Sequence, residues 1–245
     1  LLVARVVPTA SNWIAASSTV ASALNAASAS FALSTISKGT IMNSSGSENA
    51  SGSLSSGSAD NIRWEVQNVN TGSGTFNLII RRGDDTTKNK NILETFNGVS
   101  LDPMSPNYIE KVIGNTVYNT RNEGTDYFVQ ASGSYSNNSN YVIVSSVTTK
   151  TPNYLNSDGS IRNSAYTSSL PAASSGSFSG ANGALFNGTA LFNENISSVN
   201  IQGLSPNDYT SSISLLSNKD DYRFNLITAP GLNSTDHGTA VALLV

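Results

Sequence analysis

Residues 61–82 constrain the fold more tightly than any other stretch. Ile62, Trp64 and Val66 alternate with Arg63 and Glu65, and Phe76, Leu78 and Ile80 follow with the same period after a polar stretch from Asn68 to Gly74. A period of two places each apolar set on one face of a strand. The polar, Gly-containing interval reads as the turn of a hairpin. The spacing therefore predicts an antiparallel pair whose inner face holds Trp64 as a core anchor, with Ile79 on the opposite face.

Composition narrows what surrounds that hairpin. Only 12% of the 245 residues are charged, against about a quarter in an ordinary globular chain. Ser contributes 42 residues, Asn 30 and Gly 19, so the surface is polar without being ionic. Thirteen Lys and Arg against sixteen Asp and Glu, net −3, leave no electrostatic footprint for nucleic acid. No apolar run approaches the roughly 20 residues of a membrane-spanning helix. Cysteine is absent and there is one histidine, so no disulfide framework, thiolate metal site or cofactor is expected. Low net charge and aromatics spread to the end of the chain argue against disorder.

Along the chain, residues 1–7 read as a buried strand stopped by Pro8. Residues 10–30 read as a helix capped by Ser11 or Asn12, with Trp13, Ser17, Val20, Leu24 and Ala27 on one face. A strand is expected from Phe31 to Met42, an exposed loop or ragged hairpin over 43–60, and a short strand from Ile92 to Phe96. Ser105-Pro106-Asn107 predicts a helix start, with Tyr108, Ile109, Val112 and Ile113 on one face and Gly114 as its stop. The same opening recurs at Ser205-Pro206-Asn207, followed by Tyr209, Ile213 and Leu216. Strands are expected at Tyr127–Val129 and Tyr141–Val144, with an exposed excursion over 150–183. Tyr222–Ile227 reads as a strand ended by Ala229-Pro230-Gly231, with a helix beginning near Ser234, Thr235 or Asp236.

The fold class these elements predict is α+β. One largely antiparallel sheet or sandwich carries the hairpin at 62–80 and the strands near 92–96, 127–131 and 141–147. Helices at 10–30 and 105–114 pack on it, which makes residues 1–203 one β-rich domain. Residues 204–245 begin an adjoining α/β domain. Leu1–Val7 has no Met and no basic lead-in, so it is not read as a signal peptide. Both apolar ends, Leu1–Val7 and Val241–Val245, read as cuts through a longer polypeptide.

The chemistry-bearing residues yield little. His237 follows Asp236, but adjacent residues cannot orient one another as a catalytic dyad does, and Gly176-Ser177-Phe178-Ser179-Gly180 puts Phe where a nucleophile elbow needs Ser. His237 is therefore read as a polar residue in the first turn of a helix. Asp84-Asp85 and Asp220-Asp221 lack the alternating oxygen ligands of a calcium loop and read as solvated charge. Asn156-Ser157-Asp158-Gly159 reads as a turn. Gly72-Ser73-Gly74 joins two strands and is no phosphate cradle. Asn-x-Ser/Thr triplets at Asn43, Asn49, Asn137, Asn187, Asn195 and Asn233 are what a chain this rich in those residues yields by chance. Arg81-Arg82 reads as an intersubunit or solvent contact, and Trp13, like Trp64, as a core anchor. No residue is assigned a catalytic, cofactor or metal role, and the chain is read as a non-enzyme.

Two stretches resemble a known family. Gly74-Thr75-Phe76-Asn77-Leu78-Ile79-Ile80-Arg81-Arg82-Gly83, Glu94-Thr95-Phe96, and the run from Val99 through Ser105-Pro106-Asn107-Tyr108-Ile109-Glu110-Lys111-Val112-Ile113 are similar, in order and spacing, to the contractile tail sheath proteins of bacteriophages. Phe224-Asn225-Leu226-Ile227-Thr228-Ala229-Pro230-Gly231 resembles the sheath strand that opens the α/β core domain, and Val3-Ala4-Arg5-Val6-Val7 the strand upstream. Stretches 43–60 and 150–200 match nothing in that family. The resemblance implies a structural protein of the virion tail, assembled in the host cytoplasm. Its partners would be copies of itself in stacked six-membered rings, the tail tube protein and the baseplate. Sheath contraction would then drive genome ejection through the host envelope. Neighbours in the family are tied by exchanged terminal strands, which implies that this chain by itself is monomeric. The rival readings are a surface adhesin or receptor-binding β module and, with no motif behind it, a Ser hydrolase or glycosidase.

Overall fold

The computed structural model describes residues 17–19, 30–36, 62–82, 85, 88–124, 126–178, 196 and 204–245. The predicted hairpin is its centre. Strands β3 (Ile62–Asn70) and β4 (Thr75–Arg82) pair antiparallel with Trp64 opposite Ile80 and Val66 opposite Leu78. At the turn, Asn70 Oδ1 accepts the N–H groups of Gly72 and Ser73 at 2.9 and 3.2 Å. Gly74 closes it with φ +70°, and its Cα lies against the Tyr154 ring, where a Cβ would stand 2.5 Å from the ring carbon.

Strand β5 (Ile92–Ser100) pairs with β4 and β9 (Ser174–Ser177) with β3, giving the order β5-β4-β3-β9. A second antiparallel sheet has the order β1 (Ser17–Thr19), β2 (Phe31–Thr35), β8 (Val142–Val147). The two sheets share one core. Phe31 stacks on Phe76 with centroids 5.6 Å apart, and Leu33, Val142 and Val144 join Trp64, Val66, Leu78, Ile80 and Val99. Each such buried side chain contributes about 1.5–3 kcal/mol against leaving it in water. Helix α1 (Ile109–Ile113) adds Ile109 and Ile113 to this cluster and ends at Gly114 as expected.

Strands β6 (Val117–Glu123) and β7 (Asp126–Ser132) form a separate two-stranded ribbon. Between β8 and β9 lies the short helix α2 (Ala165–Ser169). At the C-terminal end, α3 (Pro206–Leu216) and α4 (Gly238–Ala242) build a second, smaller core from Ile196, Leu204, Tyr209, Ile213 and Ala240. Here the Ser-Pro-Asn start behaves as predicted. Pro206 opens α3, and the Asp208 carboxylate accepts both the N–H and the hydroxyl of Ser205 at 2.8 Å.

The antiparallel α+β class holds, but several elements differ from expectation. The strands are divided among three sheets, so 142–147 faces the hairpin from the opposite layer and 126–132 stands apart in the ribbon. Within the predicted helix at 10–30, Ser17–Thr19 is a strand paired with β2; Ser and Thr suit an extended backbone, and the sheet supplies its hydrogen bonds. At Ser105-Pro106-Asn107 the helix begins three residues late, with Tyr108 rather than Ser105 in the N-cap position. The Ser100 N–H donates to Asn107 O at 2.9 Å, Ser100 and Tyr108 form a parallel bridge, and Tyr108 has ψ 133°, so Ser105–Asn107 is a turn and Tyr108 is extended before the helix begins. The excursion over 150–183 is not simply exposed. Thr151, Tyr154, Leu170 and Phe178 are buried, and β9 completes the main sheet. Tyr222–Ile227 pairs with nothing among the described residues and is irregular, with Leu226 81% exposed; a strand needs a partner for its backbone, whatever its side chains favour. The helix expected just after it exists as α4. The expected strand at 1–7, the loop at 43–60 and Trp13 lie outside the described residues.

Candidate functional site

Two features of the described surface could carry function: a latch of charged residues on the main sheet, and the ribbon. In the latch, Arg81 and Arg63 sit opposite each other on β4 and β3. Arg81 donates from Nε and Nη2 to the two carboxylate oxygens of Asp85, both at 2.7 Å, and from Nη1 to Glu65 at 2.8 Å. Lys90 Nζ completes the chain on Glu65 at 2.6 Å, and the Asn91 N–H donates to Asp85 at 3.0 Å. Both readings of these residues are thus corrected. Asp85 is 8% exposed rather than solvated, and Arg81 is a buried internal partner rather than a subunit or solvent contact. The reason is the alternation itself. Arg81 falls in β4 on the face that also carries Glu65 from β3, so its guanidinium must be neutralised where it lies.

Burial alone would push the Asp85 carboxyl up. The Arg81 hydrogen bond, the Asn91 N–H and the charge of Arg63 outweigh that and hold it below the usual carboxylate range. The Arg81 guanidinium is raised, chiefly by the same bond. Beside the latch is a shallow cleft of about 680 Å³ rimmed by Arg82, Lys88 and Lys90. Among the described residues that line it there is no nucleophile or acid–base pair poised for chemistry, and their one carboxylate, Asp85, is bonded to Arg81 and Asn91.

The ribbon is held firmly at its base, and its strand β7 also lies beside α3. Asn115 Oδ1 accepts the N–H groups of Ser134 and Tyr135, both at 2.9 Å. Thr116 Oγ1 donates to Tyr135 O at 2.6 Å, and the Asn137 amide both accepts from and donates to the Thr116 backbone, at 3.0 and 2.7 Å. The register places Tyr118, Thr120, Asn122, Tyr127, Val129 and Ala131 on one face, which carries no charge. The other face holds Arg121, whose Nε donates to Gln130 at 2.9 Å, beside Phe128. Tyr118, Phe128 and Val129 are exposed. Such a surface can touch a macromolecule through rings and amides with little desolvated charge. A signal for β6 was present in Val117, Tyr118 and Thr120 ahead of Gly124, but the polar residues between them masked it.

The remaining candidates take structural places. His237 is 3% exposed and stands in the N-cap position of α4 without a capping bond from its ring; its Nδ1 accepts from the Asn233 N–H at 3.2 Å and its Nε2 lies 2.8 Å from Ile196 O. Asp220 and Asp221 are exposed, with Asp221 bound to Asn218. Asn156 to Gly159 is a turn in which Asp158 accepts from Ser160. Gly72-Ser73-Gly74 is the hairpin turn, and Phe178 is buried in the core. Of the Asn-x-Ser/Thr sites, Asn137 has both ends of its amide engaged on Thr116, and the Asn233 amide donates to Asp236. Asn43, Asn49, Asn187, Asn195, Asp84, Ser179 and Gly180 lie outside the described residues. Among the described residues no cluster of three His, Cys, Asp or Glu could hold a metal, and no helix is long and apolar enough to cross a membrane. Comparison of the chain with protein-family models, with curated proteins and with solved structures returned no match.

Proposed function

We propose that this chain is a structural subunit of a bacteriophage contractile tail sheath, a non-enzyme whose work is to pack against copies of itself. One observation carries the reading. In the stretch that resembles the sheath family, residues 74–113, the described residues build β4, β5 and α1, and the apolar positions Phe76, Leu78, Ile80, Val99, Leu101, Tyr108, Ile109 and Ile113 are core. A motif whose spacing is set by packing is what a shared fold requires. Contraction needs rigid subunits whose contacts have two arrangements. The two-sheet core and the buried latch supply stiffness, and the uncharged ribbon face is a contact surface that can be remade cheaply.

In this reading the partners are further copies in stacked six-membered rings, the tail tube protein and the baseplate, and the location is the virion tail. Immunogold electron microscopy of contractile-tailed particles, with antibody raised against the purified chain, tests it. Regular gold along the outer jacket supports the proposal, and gold confined to fibres or absent from the tail rejects it. The exposed Tyr118 and Val129 on a rigid ribbon favour one alternative, an adhesin or receptor-binding module, and glycan-array binding lost in Tyr118→Ala would select it.

A further inference from the structure

Among the described residues, the core, the latch and the ribbon leave one reactive sequence unused: Asn97-Gly98 on β5. An Asn side chain is attacked most readily by the next backbone nitrogen when that residue is Gly, because no Cβ hinders the approach. Asn97 is exposed. On β4 and β5, Phe76 pairs with Val99 and Leu78 with Phe96, so Asn97 and Gly98 together stand opposite the single residue Asn77. This is a β-bulge, with Gly98 at φ +61° in the left-handed region. Inside it the Gly98 N–H donates to Asn77 Oδ1 at 2.9 Å. The would-be nucleophile is therefore the one backbone nitrogen of the bulge that a side chain holds, and its proton is aimed at a neutral acceptor.

We infer that Asn97-Gly98 is a self-modification site held in check by Asn77. In the reaction, hydroxide takes the Gly98 amide proton and the nitrogen bonds to Asn97 Cγ. The Cγ–Nδ2 bond breaks, and ammonia leaves with a proton from water, closing a five-membered succinimide. Water then opens the ring at one of its two carbonyls, giving aspartate or isoaspartate, with no redox change. The native bulge opposes the first step, since the nitrogen must leave Asn77 and the strand must deform before it reaches Cγ. β5 is an edge strand of its sheet, so local opening, not global unfolding, sets the rate. The consequence is structural. Isoaspartate lengthens the backbone within the bulge whose register carries Val99 and Leu101 into the core, so a chain that carries isoaspartate there cannot re-form the native β4–β5 ladder. The inference does not depend on the sheath reading.

The test is peptide mapping by mass spectrometry after incubation of the full chain in mildly alkaline buffer. Asn182-Gly183 and Asn187-Gly188 share the dipeptide, so in urea all three sites give a common reference rate. Native Asn97 is expected to react at least about tenfold more slowly than in urea, the ratio reporting the population of the open strand. Asn77→Ala is expected to recover most of that rate, and Asn97→Gln to abolish the product. Hydrogen exchange at the Gly98 N–H of the unmutated chain supplies a measurement independent of the variant's folding, and protection is expected there. Native reaction at the urea rate, an unprotected Gly98 N–H, or a folded Asn77→Ala chain that reacts no faster would each overturn the inference.

Discussion

Arg81 and Asp85, four residues apart, face each other as a fork on a fork, with two parallel N–H···O bonds of 2.7 Å and side chains exposed by only 3% and 1%. Arg81 lies in β4 and Asp85 just beyond it, so the pair ties the chain leaving the central hairpin back onto the sheet. Removing one partner of a buried pair strands the other charge, at a cost of about 3–5 kcal/mol. Asp85→Ala should therefore lower stability by about 3 kcal/mol, since Glu65 still neutralises part of the Arg81 charge. Urea denaturation checks this, and a loss below that of an exposed ion pair would show that the latch is not buried in solution.

The same pair contributes to the acid side of the stability curve. Asp85 is held below its ordinary range in the folded chain, so the folded state favours the ionised form. The stability it contributes is fully present above the unfolded carboxyl pKa and is lost as pH falls through the lower, folded value. Asp85→Asn should flatten the fall of Tm on acidification while lowering Tm at neutral pH. A variant whose acid limb matches the parent would remove Asp85 from the account.

Gly176 sits in β9 with its Cα on the Trp64 indole, where a Cβ would lie 2.7 Å from a ring carbon. Trp64 is 1% exposed and cannot withdraw without leaving the core. Gly176→Ala is expected to push β9 off β3, at about 1–3 kcal/mol, the usual cost of overpacking. In a Trp13→Phe background, Trp64 fluorescence should shift toward longer wavelength. An unshifted spectrum at full stability would contradict this contact.

At the second core, the Asp208 carboxylate serves both the N–H and the hydroxyl of Ser205 while fully buried. Asp208→Ala should cost about 1–2 kcal/mol through loss of this cap, and Ser205→Ala about 1 kcal/mol. Hydrogen exchange over residues 205–216 reports it, with protection expected to fall there and to stay unchanged in β3 and β4.

The elements legible in the sequence were those whose signal is local. The 62–80 hairpin is written in its alternation, and α3 in Ser205-Pro206-Asn207 backed by Asp208. Ser105-Pro106-Asn107 shows the limit of such signals. The same tripeptide is a turn there, because a bridge between Ser100 and Tyr108, a pairing that the tripeptide itself does not announce, holds Tyr108 extended. Tyr222–Ile227 fails in the opposite sense, for its side chains favour a strand but no strand among the described residues pairs with it. The latch shows why charge is hard to read. Asp85 and Asp221 look alike as members of acidic doublets, and only the position of Arg81 on the hairpin makes one buried and leaves the other in water. The ribbon was half seen, because β7 carries Tyr127-Phe128-Val129 whereas β6 is mostly polar.

The claim that this chain is a mechanical subunit meets its most direct test in a helical reconstruction, by electron cryomicroscopy, of extended contractile tails from the particles that carry it. The account predicts jacket density, repeating as stacked six-membered rings, into which the two-sheet body fits with the β6–β7 ribbon at a boundary between subunits. A jacket whose density is fully explained by another polypeptide, with this fold found nowhere in it, would contradict the account.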